Sequence, residues 1–224
     1  SRDWSSDVCS SDLFAATVVG RAAATKPDWA YAIALPPAPG APAPAPDTAP
    51  KSLPGTTKQF TRQEIANGFG PADWFPEDHP NPMPDVVAKG KRPDARACGL
   101  CHYPNGKGRQ ENAGVSGLPV SYFIQTMNDF KNDLRKSGEP KKANTIAMIQ
   151  IAKALTDQEI RQAAEYFGAM KWTPWVKVVE TDTVEKMESR GGIWVPIEGA
   201  GAGKEPIGVR IMETPVNPEQ TEDR

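Results

Sequence analysis

The chain is poor in the residues that usually carry catalysis and metal chemistry: 224 residues hold three cysteines and two histidines. Three thiols cannot build the disulfide framework of a small secreted scaffold. No stretch reaches the roughly 20 consecutive apolar residues of a membrane span, which excludes an intact transmembrane helix within these residues. Neither sign of charge is in excess. Lys and Arg number 26 against 28 Asp and Glu, a net charge of −2 that gives nucleic acid no bulk attraction. Apolar residues are a modest 38%, and 23 prolines outnumber 19 glycines. Part of the chain therefore carries no packed core, and the length suits one to two domains.

Composition divides the chain into five stretches. Residues 1–13 (SRDWSSDVCSSDL) are rich in Ser and Asp, show no period and are read as non-native sequence, which leaves Cys9 without a role. A native tail is the alternative. Residues 14–25 are a short apolar run ending in Ala22-Ala23-Ala24, an A-x-A-like cleavage site, and are read as the remnant of a signal peptide or membrane anchor. Residues 26–59 are an Ala/Pro-rich linker, expected to be disordered. Between Leu35 and Gly55 proline removes amide donors and favours extended polyproline II, a semi-rigid spacer. Residues 60–172 are the expected folded domain, and residues 173–224 a C-terminal extension. The polar end NPEQTEDR carries no cap or closing apolar element, and a continuation beyond Arg224 stays an open alternative.

Two of the three cysteines stand in Cys98-Gly99-Leu100-Cys101-His102, a C-x-x-C-H motif. On one helical turn, two thiols three residues apart can each reach one vinyl group of a haem and form thioethers. The adjacent histidine is then forced under the iron as proximal ligand. Structural zinc needs about four ligands, and only His79 could join the three of the motif. A thioredoxin-like redox pair would require a βαβ context that the flanking sequence lacks.

The flanks predict helices. Met83 to Ala88 reads as a short helix with proline in an early turn. A glycine-bearing loop, Pro104 to Gly108, follows the motif. Pro119 opens a predicted helix from Val120 to Lys136, whose apolar face is Tyr122, Phe123, Met127, Phe130 and Leu134. A third helix spans about Ala143 to Ala154, with Ile146, Ile149 and Ile151 directed inward. Thr156-Asp157-Gln158-Glu159 is a capping box. It starts a last helix with Ile160, Ala163, Ala164, Phe167 and Met170 on its apolar face.

This pattern resembles the class I c-type cytochromes over about Asp85 to Trp172. It is carried by ACGLCHY (Ala97 to Tyr103), GLPVSYFIQTMNDFKNDLR (Gly117 to Arg135) and IAMIQIAKALTDQEIRQAAEYFGAM (Ile146 to Met170). The resemblance implies a mainly α, cytochrome c-like helical domain around one covalent haem c, with a fragment of a tandem di-haem chain as an open alternative. A methionine just before the closing helix would be the second axial ligand, and Met148 stands there. Chain geometry agrees, since the chain must wrap the haem edge before meeting the face opposite His102. Met127, Met170, Met83, His79 in Asp78-His79-Pro80 and a five-coordinate iron remain open alternatives. The family's P-x-L-x-G run, near which a carbonyl accepts the proximal histidine N–H, is replaced by Ala113-Gly114-Val115-Ser116-Gly117. A backbone carbonyl there can still serve.

From Lys89 to Lys142 eleven basic residues face five acidic ones, an excess of six that would steer an acidic redox partner. A solvated helix surface is the plain alternative. The tail changes character: Trp175 to Glu180, Ile193 to Pro196 and Glu205 to Ile211 read as strands around Gly191-Gly192, a β-rich extension packed on the helical domain. The expectation is a periplasmic, exported electron carrier rather than an enzyme. It would be tethered at most through a missing N-terminal anchor and would serve a dehydrogenase on one side and an oxidase or reductase on the other. A peroxidase-like haem enzyme with an open sixth site, and a haem subunit docked on a dehydrogenase, are the alternatives.

Overall fold

The computed structural model describes residues 26–34, 40, 47–214 and 216. The segments read as non-native sequence and as signal or anchor remnant, Cys9, most of the Ala/Pro alternation and the last eight residues lie outside them. A 3₁₀ turn, Asp28–Ala30, belongs to one compact unit, and Tyr31 onward forms another.

The second unit is mainly helical. Its order is α1 (Arg62–Ile65), α2 (Asp85–Ala88), α3 (Cys98–His102), α4 (Val120–Lys131), α5 (Ala143–Ala154) and α6 (Asp157–Gly168), then short strands β1 (Thr183–Glu185), β2 (Met187–Arg190), β3 (Ile193–Pro196) and β4 (Lys204–Pro206). Helix α6 forms as its sequence dictates. The Thr156 hydroxyl accepts the Glu159 amide at 3.2 Å, and the Glu159 carboxylate accepts the Thr156 amide at 2.7 Å. Ile160, Ala163, Ala164 and Phe167 are buried on one face, and Met170 just beyond the helix is buried too. Phe123 of α4 stacks on Phe167 with centroids 6.0 Å apart. Val86 and Val87 of α2, Met127 of α4, and Ile151 and Ala152 of α5 complete the core.

Between α5 and α6 the chain turns within Leu155 and Thr156, so the last α5 carbonyls meet the first α6 carboxylates. Two lysines bridge this junction. Lys91 donates to the Ala154 carbonyl at 3.1 Å and pairs with Glu159 at 3.2 Å. Lys131 donates to the Leu155 carbonyl and to Asp157, both at 3.0 Å. Each cation satisfies a helix C-terminus while neutralising a carboxylate at the next N-terminus.

Helix α4 stops five residues before the expected Lys136. Asp133 takes a left-handed conformation with φ 57°. The Asp133 amide then bonds the Phe130 carbonyl at 3.2 Å, and the Leu134 amide bonds the Asp129 carbonyl at 2.8 Å, a Schellman closure. Leu134 is thereby thrown outward, 76% exposed, instead of extending the apolar face. Tyr122 is also exposed. On α5, Ile151 is buried and Ile149 half-buried, but Ile146 is 44% exposed rather than inward.

The tail forms two separate antiparallel pairs, β2 with β3 and β1 with β4. Gly191 and Gly192, at φ 61° and 86°, make the tight turn between β2 and β3. The expected strand at Trp175 to Glu180 does not form. Those residues are exposed and without a ladder, because β-favouring composition cannot supply a partner edge. The run from Glu205 to Ile211 keeps only its first residues in β4. Lys142, just ahead of α5, donates to the Ala32 carbonyl at 3.0 Å and the Gly192 carbonyl at 2.6 Å, and Ser189 donates to Ile33 at 2.8 Å.

Two stability predictions follow the packing. Phe167→Ala is expected to cost about 3–5 kcal/mol in urea unfolding, against roughly 0.5 kcal/mol or less for Leu134→Ala. Thr156→Ala is expected to cost about 1 kcal/mol at neutral pH. The Thr156 amide, with smaller help from its hydroxyl and from Lys91, holds the Glu159 carboxyl below its ordinary 4.5. A depressed carboxyl stabilises above its unfolded pKa and stops doing so as pH falls through the folded one; alanine keeps the amide, so only the part of the Thr156→Ala penalty carried by the hydroxyl's bond to the carboxylate should be lost as pH falls through the folded value. Unfolding curves at pH 7 and pH 3 check it.

Candidate cofactor site

Helix α3 is a single turn placed by its neighbours. The Ala97 amide bonds the Gly68 carbonyl at 2.8 Å, and the Leu100 amide returns to Ala97 at 3.1 Å. Gly99 lies against α2, where an added Cβ would come within 3.0 Å of the Val87 carbonyl. Cys98 packs against the core cluster, and Cys101 and His102 are half-buried on the same turn. The structure thus brings the three motif residues together.

The chain leaves α3 through Tyr103, at φ 60° and ψ 155°. That region is close to a glycine preserve and costs a side-chain-bearing residue of order 1–3 kcal/mol. The following loop doubles back on α3. The Gly106 amide bonds the Tyr103 carbonyl at 3.0 Å, Gly108 bonds His102 at 2.9 Å, Arg109 bonds Cys101 at 3.0 Å, and Val115 bonds Gly106 at 2.7 Å. Gly108, at φ 82°, lets the two arms close up; a Cβ there would lie 2.7 Å from the Ala113 carbonyl.

That closure brings the Ala113 carbonyl to 2.7 Å from His102 Nδ1. A carbonyl only accepts, so Nδ1 carries the proton and Nε2 keeps its lone pair. The run Ala113 to Gly117 therefore supplies the acceptor through its backbone, as the sequence allowed. Burial lowers the His102 pKa, and the Ala113 carbonyl opposes that by favouring the charged ring. Burial pushes the Cys98 thiol up to about 12, against the backbone amide of Cys98. It also raises Cys101, where Arg109 and Arg96 pull the other way.

The donor set fits a covalent haem. Two unpaired thiols share a turn with an imidazole whose outer nitrogen is a ready ligand. Around the core, Met83, Leu118, Ile124, Phe130 and Met148 are apolar residues that stay partly open. Among the described residues no group of three or more His, Cys, Asp or Glu is placed to hold a bare metal ion.

Of the candidate sixth ligands, Met127 and Met170 are buried in the core, and Met83 is half-buried against it. Met148 sits half-buried on α5, one turn ahead of Ile151 and Ala152. The side chain of His79 is 1% exposed. Its Nε2 lies 3.2 Å from Asp73 Oδ2, and its Nδ1 lies 3.1 Å from the Pro80 carbonyl and 3.0 Å from the Tyr166 hydroxyl. Both ring nitrogens are engaged. Sequence reasoning missed Asp73 and Tyr166; the signal for Tyr166 was its place three residues after Ala163 on the buried face of α6.

The basic excess is partly committed to tertiary contacts. Lys91, Lys131 and Lys142 bond carbonyls as above, Lys107 holds Thr173, and Arg92 and Arg135 lie over the rings of Phe69 and Phe130.

The thiol environment predicts slow alkylation before any cofactor is attached. With its pKa near 12, Cys98 at pH 8 has a thiolate fraction about a thousandfold below that of an exposed cysteine. Iodoacetamide labelling of the folded apo-chain, read by mass spectrometry from pH 7 to pH 10, should modify Cys101 faster than Cys98, and unfolding should remove the difference. Equal labelling of both would contradict the burial of Cys98.

No protein-family model and no curated protein sequence matches the chain. Among solved structures, the crystal structure of reduced recombinant cytochrome c4 from Pseudomonas stutzeri is similar in part: 26% identity and a TM-score of 0.32, over 37% of this chain and 43% of that one. So low a TM-score does not establish a common fold, and the match spans less than half of that chain.

Proposed function

We propose that the chain is an electron-transfer protein holding one covalent haem c. Cys98 and Cys101 would form the thioethers, His102 would be the proximal ligand, and Met148 the ligand on the other side. The observation that carries the reading is the single turn Cys98–His102 with His102 Nδ1 tied to the Ala113 carbonyl at 2.7 Å. Bound haem supplies a one-electron iron couple. The chain's residues do the rest. The two thiols anchor the group irreversibly, which suits an exported protein that cannot recapture a lost cofactor. The Ala113 carbonyl fixes the ring of His102 and makes its free nitrogen a better donor. A thioether from Met148 would close the sixth position and favour a high potential.

A peroxidase-like reading is less well supported. It needs a base free to move a proton on the open side, and His79, the one other histidine, is locked between Asp73 and Tyr166. The periplasm is the compartment proposed, because the apolar run with its A-x-A-like site fits export. Among the described residues no helix is long and apolar enough to cross a membrane. An acidic protein partner is proposed from the basic excess between Lys89 and Lys142, reduced by the lysines that the fold has already used.

A visible spectrum and pyridine haemochrome count of protein matured in a periplasm test the reading. One haem per chain and a low-spin oxidised spectrum with the weak red band of a methionine-ligated iron are expected. Met148→Ala should keep the haem, lose that band and open the sixth position to added ligand. An unchanged spectrum in the mutant would overturn Met148, and absence of covalent haem would overturn the whole reading.

A further inference from the structure

Tyr103 directly follows the proposed ligand, and its conformation is one that side-chain-bearing residues avoid. Something must hold it there. Two hydrogen bonds of the turn are local: Gly106 to the Tyr103 carbonyl and Gly108 to the His102 carbonyl. A third comes from far along the chain, where the Tyr166 hydroxyl donates to the Pro104 carbonyl at 2.9 Å.

Tyr166 is itself held. A phenol has one proton, and given to the Pro104 carbonyl, which can only accept, it leaves the phenol oxygen as an acceptor beside His79 Nδ1, which lies 3.0 Å from it and 3.1 Å from the Pro80 carbonyl. His79 Nε2 faces the Asp73 carboxylate at 3.2 Å. Burial, with the Asp73 carboxylate adding to it, raises the Tyr166 pKa well above the ordinary value, so the hydroxyl remains a donor at any physiological pH. A buried chain of acid, imidazole and phenol is costly to desolvate and gains little over an apolar packing of the same shape. Its geometry is specific in one respect: it ends on the carbonyl of the residue after Tyr103. From that turn the constraint passes to His102, whose carbonyl bonds Gly108. Gly108 in turn packs against Ala113, the acceptor of His102 Nδ1.

We infer that Asp73, His79 and Tyr166 are positioning residues that clamp the strained Tyr103–Pro104 turn and so fix the ring of His102 for ligation. The inference rests on the haem reading for its purpose, while the clamp itself is a property of the chain. It ties the segment before the haem motif to the proximal loop through α6.

The test uses the full matured protein and amide hydrogen exchange at Gly108. Tyr166→Phe keeps the ring and removes only the donor. It should speed Gly108 exchange about tenfold, the scale of one lost hydrogen bond, and shift the His102 ring resonances of the haem-bound protein. Adding Tyr103→Gly removes the strain and should return both to near the wild-type values. His79→Asn, whose amide nitrogen can stand in for Nδ1, should behave as wild type, and His79→Leu as Tyr166→Phe. Phe123→Leu, a core variant outside the clamp, should lower stability without changing relative protection at Gly108, and Tyr103→Gly should not rescue it. Unchanged exchange in Tyr166→Phe and His79→Leu, or failure of Tyr103→Gly to rescue, would overturn the clamp. If Tyr166→Phe does not fold, His79→Leu against His79→Asn decides the same question. A chain that matures without covalent haem would overturn the haem reading, while Gly108 exchange would still decide the clamp.

Discussion

An imidazole has two nitrogens, and whichever is bound to the protein decides what the other can do. At His102 the bond to the Ala113 carbonyl makes that decision, and the geometry around it is shaped accordingly. The carbonyl lies eleven residues beyond the ring it holds. To bring it back, the chain must reverse tightly, and the reversal uses a left-handed Gly106, a left-handed Gly108 that leaves room for the Ala113 backbone, and a Tyr103 in a conformation suited to glycine. These local irregularities after the motif accompany the one 2.7 Å contact.

The helical frame serves the same end with more ordinary means. Helix α6 buries a stripe of small and aromatic residues against α2 and α4, and α2 sits on the glycine of the motif. The α5–α6 corner would leave orphan carbonyls and crowded carboxylates. Lys91 and Lys131 arrive from the segments just before α3 and at the end of α4 and answer both at once. A surface counted as basic by sequence is therefore partly internal wiring of the fold. Net charge over a stretch overstates what remains for a partner when several of its cations already serve carbonyl oxygens.

What was legible in the sequence follows the range of the interaction that enforces it. The motif at Cys98–His102 was legible because its spacing is local and fits one helical turn. Helix α6 was legible because its cap and its period agree; α5 was legible in extent although no side chain caps it at Lys142. The end of α4 was not, since a non-glycine residue, Asp133, takes the left-handed position. The strand expected at Trp175 was not, since pairing depends on an edge that no local pattern reports. The Asp73–His79–Tyr166 chain was invisible for a stronger reason: 87 residues separate two groups 3.0 Å apart, and nothing in an Asp-His-Pro turn announces its partner.

The ammonium of Lys142 has a bearing beyond its two hydrogen bonds. It grips the carbonyls of Ala32 and Gly192 from the position immediately before α5, the helix that carries Met148. Three stretches distant in sequence thus meet at one flexible side chain. The Ala32 segment, the first turn of α5 and the β2–β3 turn therefore share one connection, and removing the Lys142 ammonium would loosen all three together.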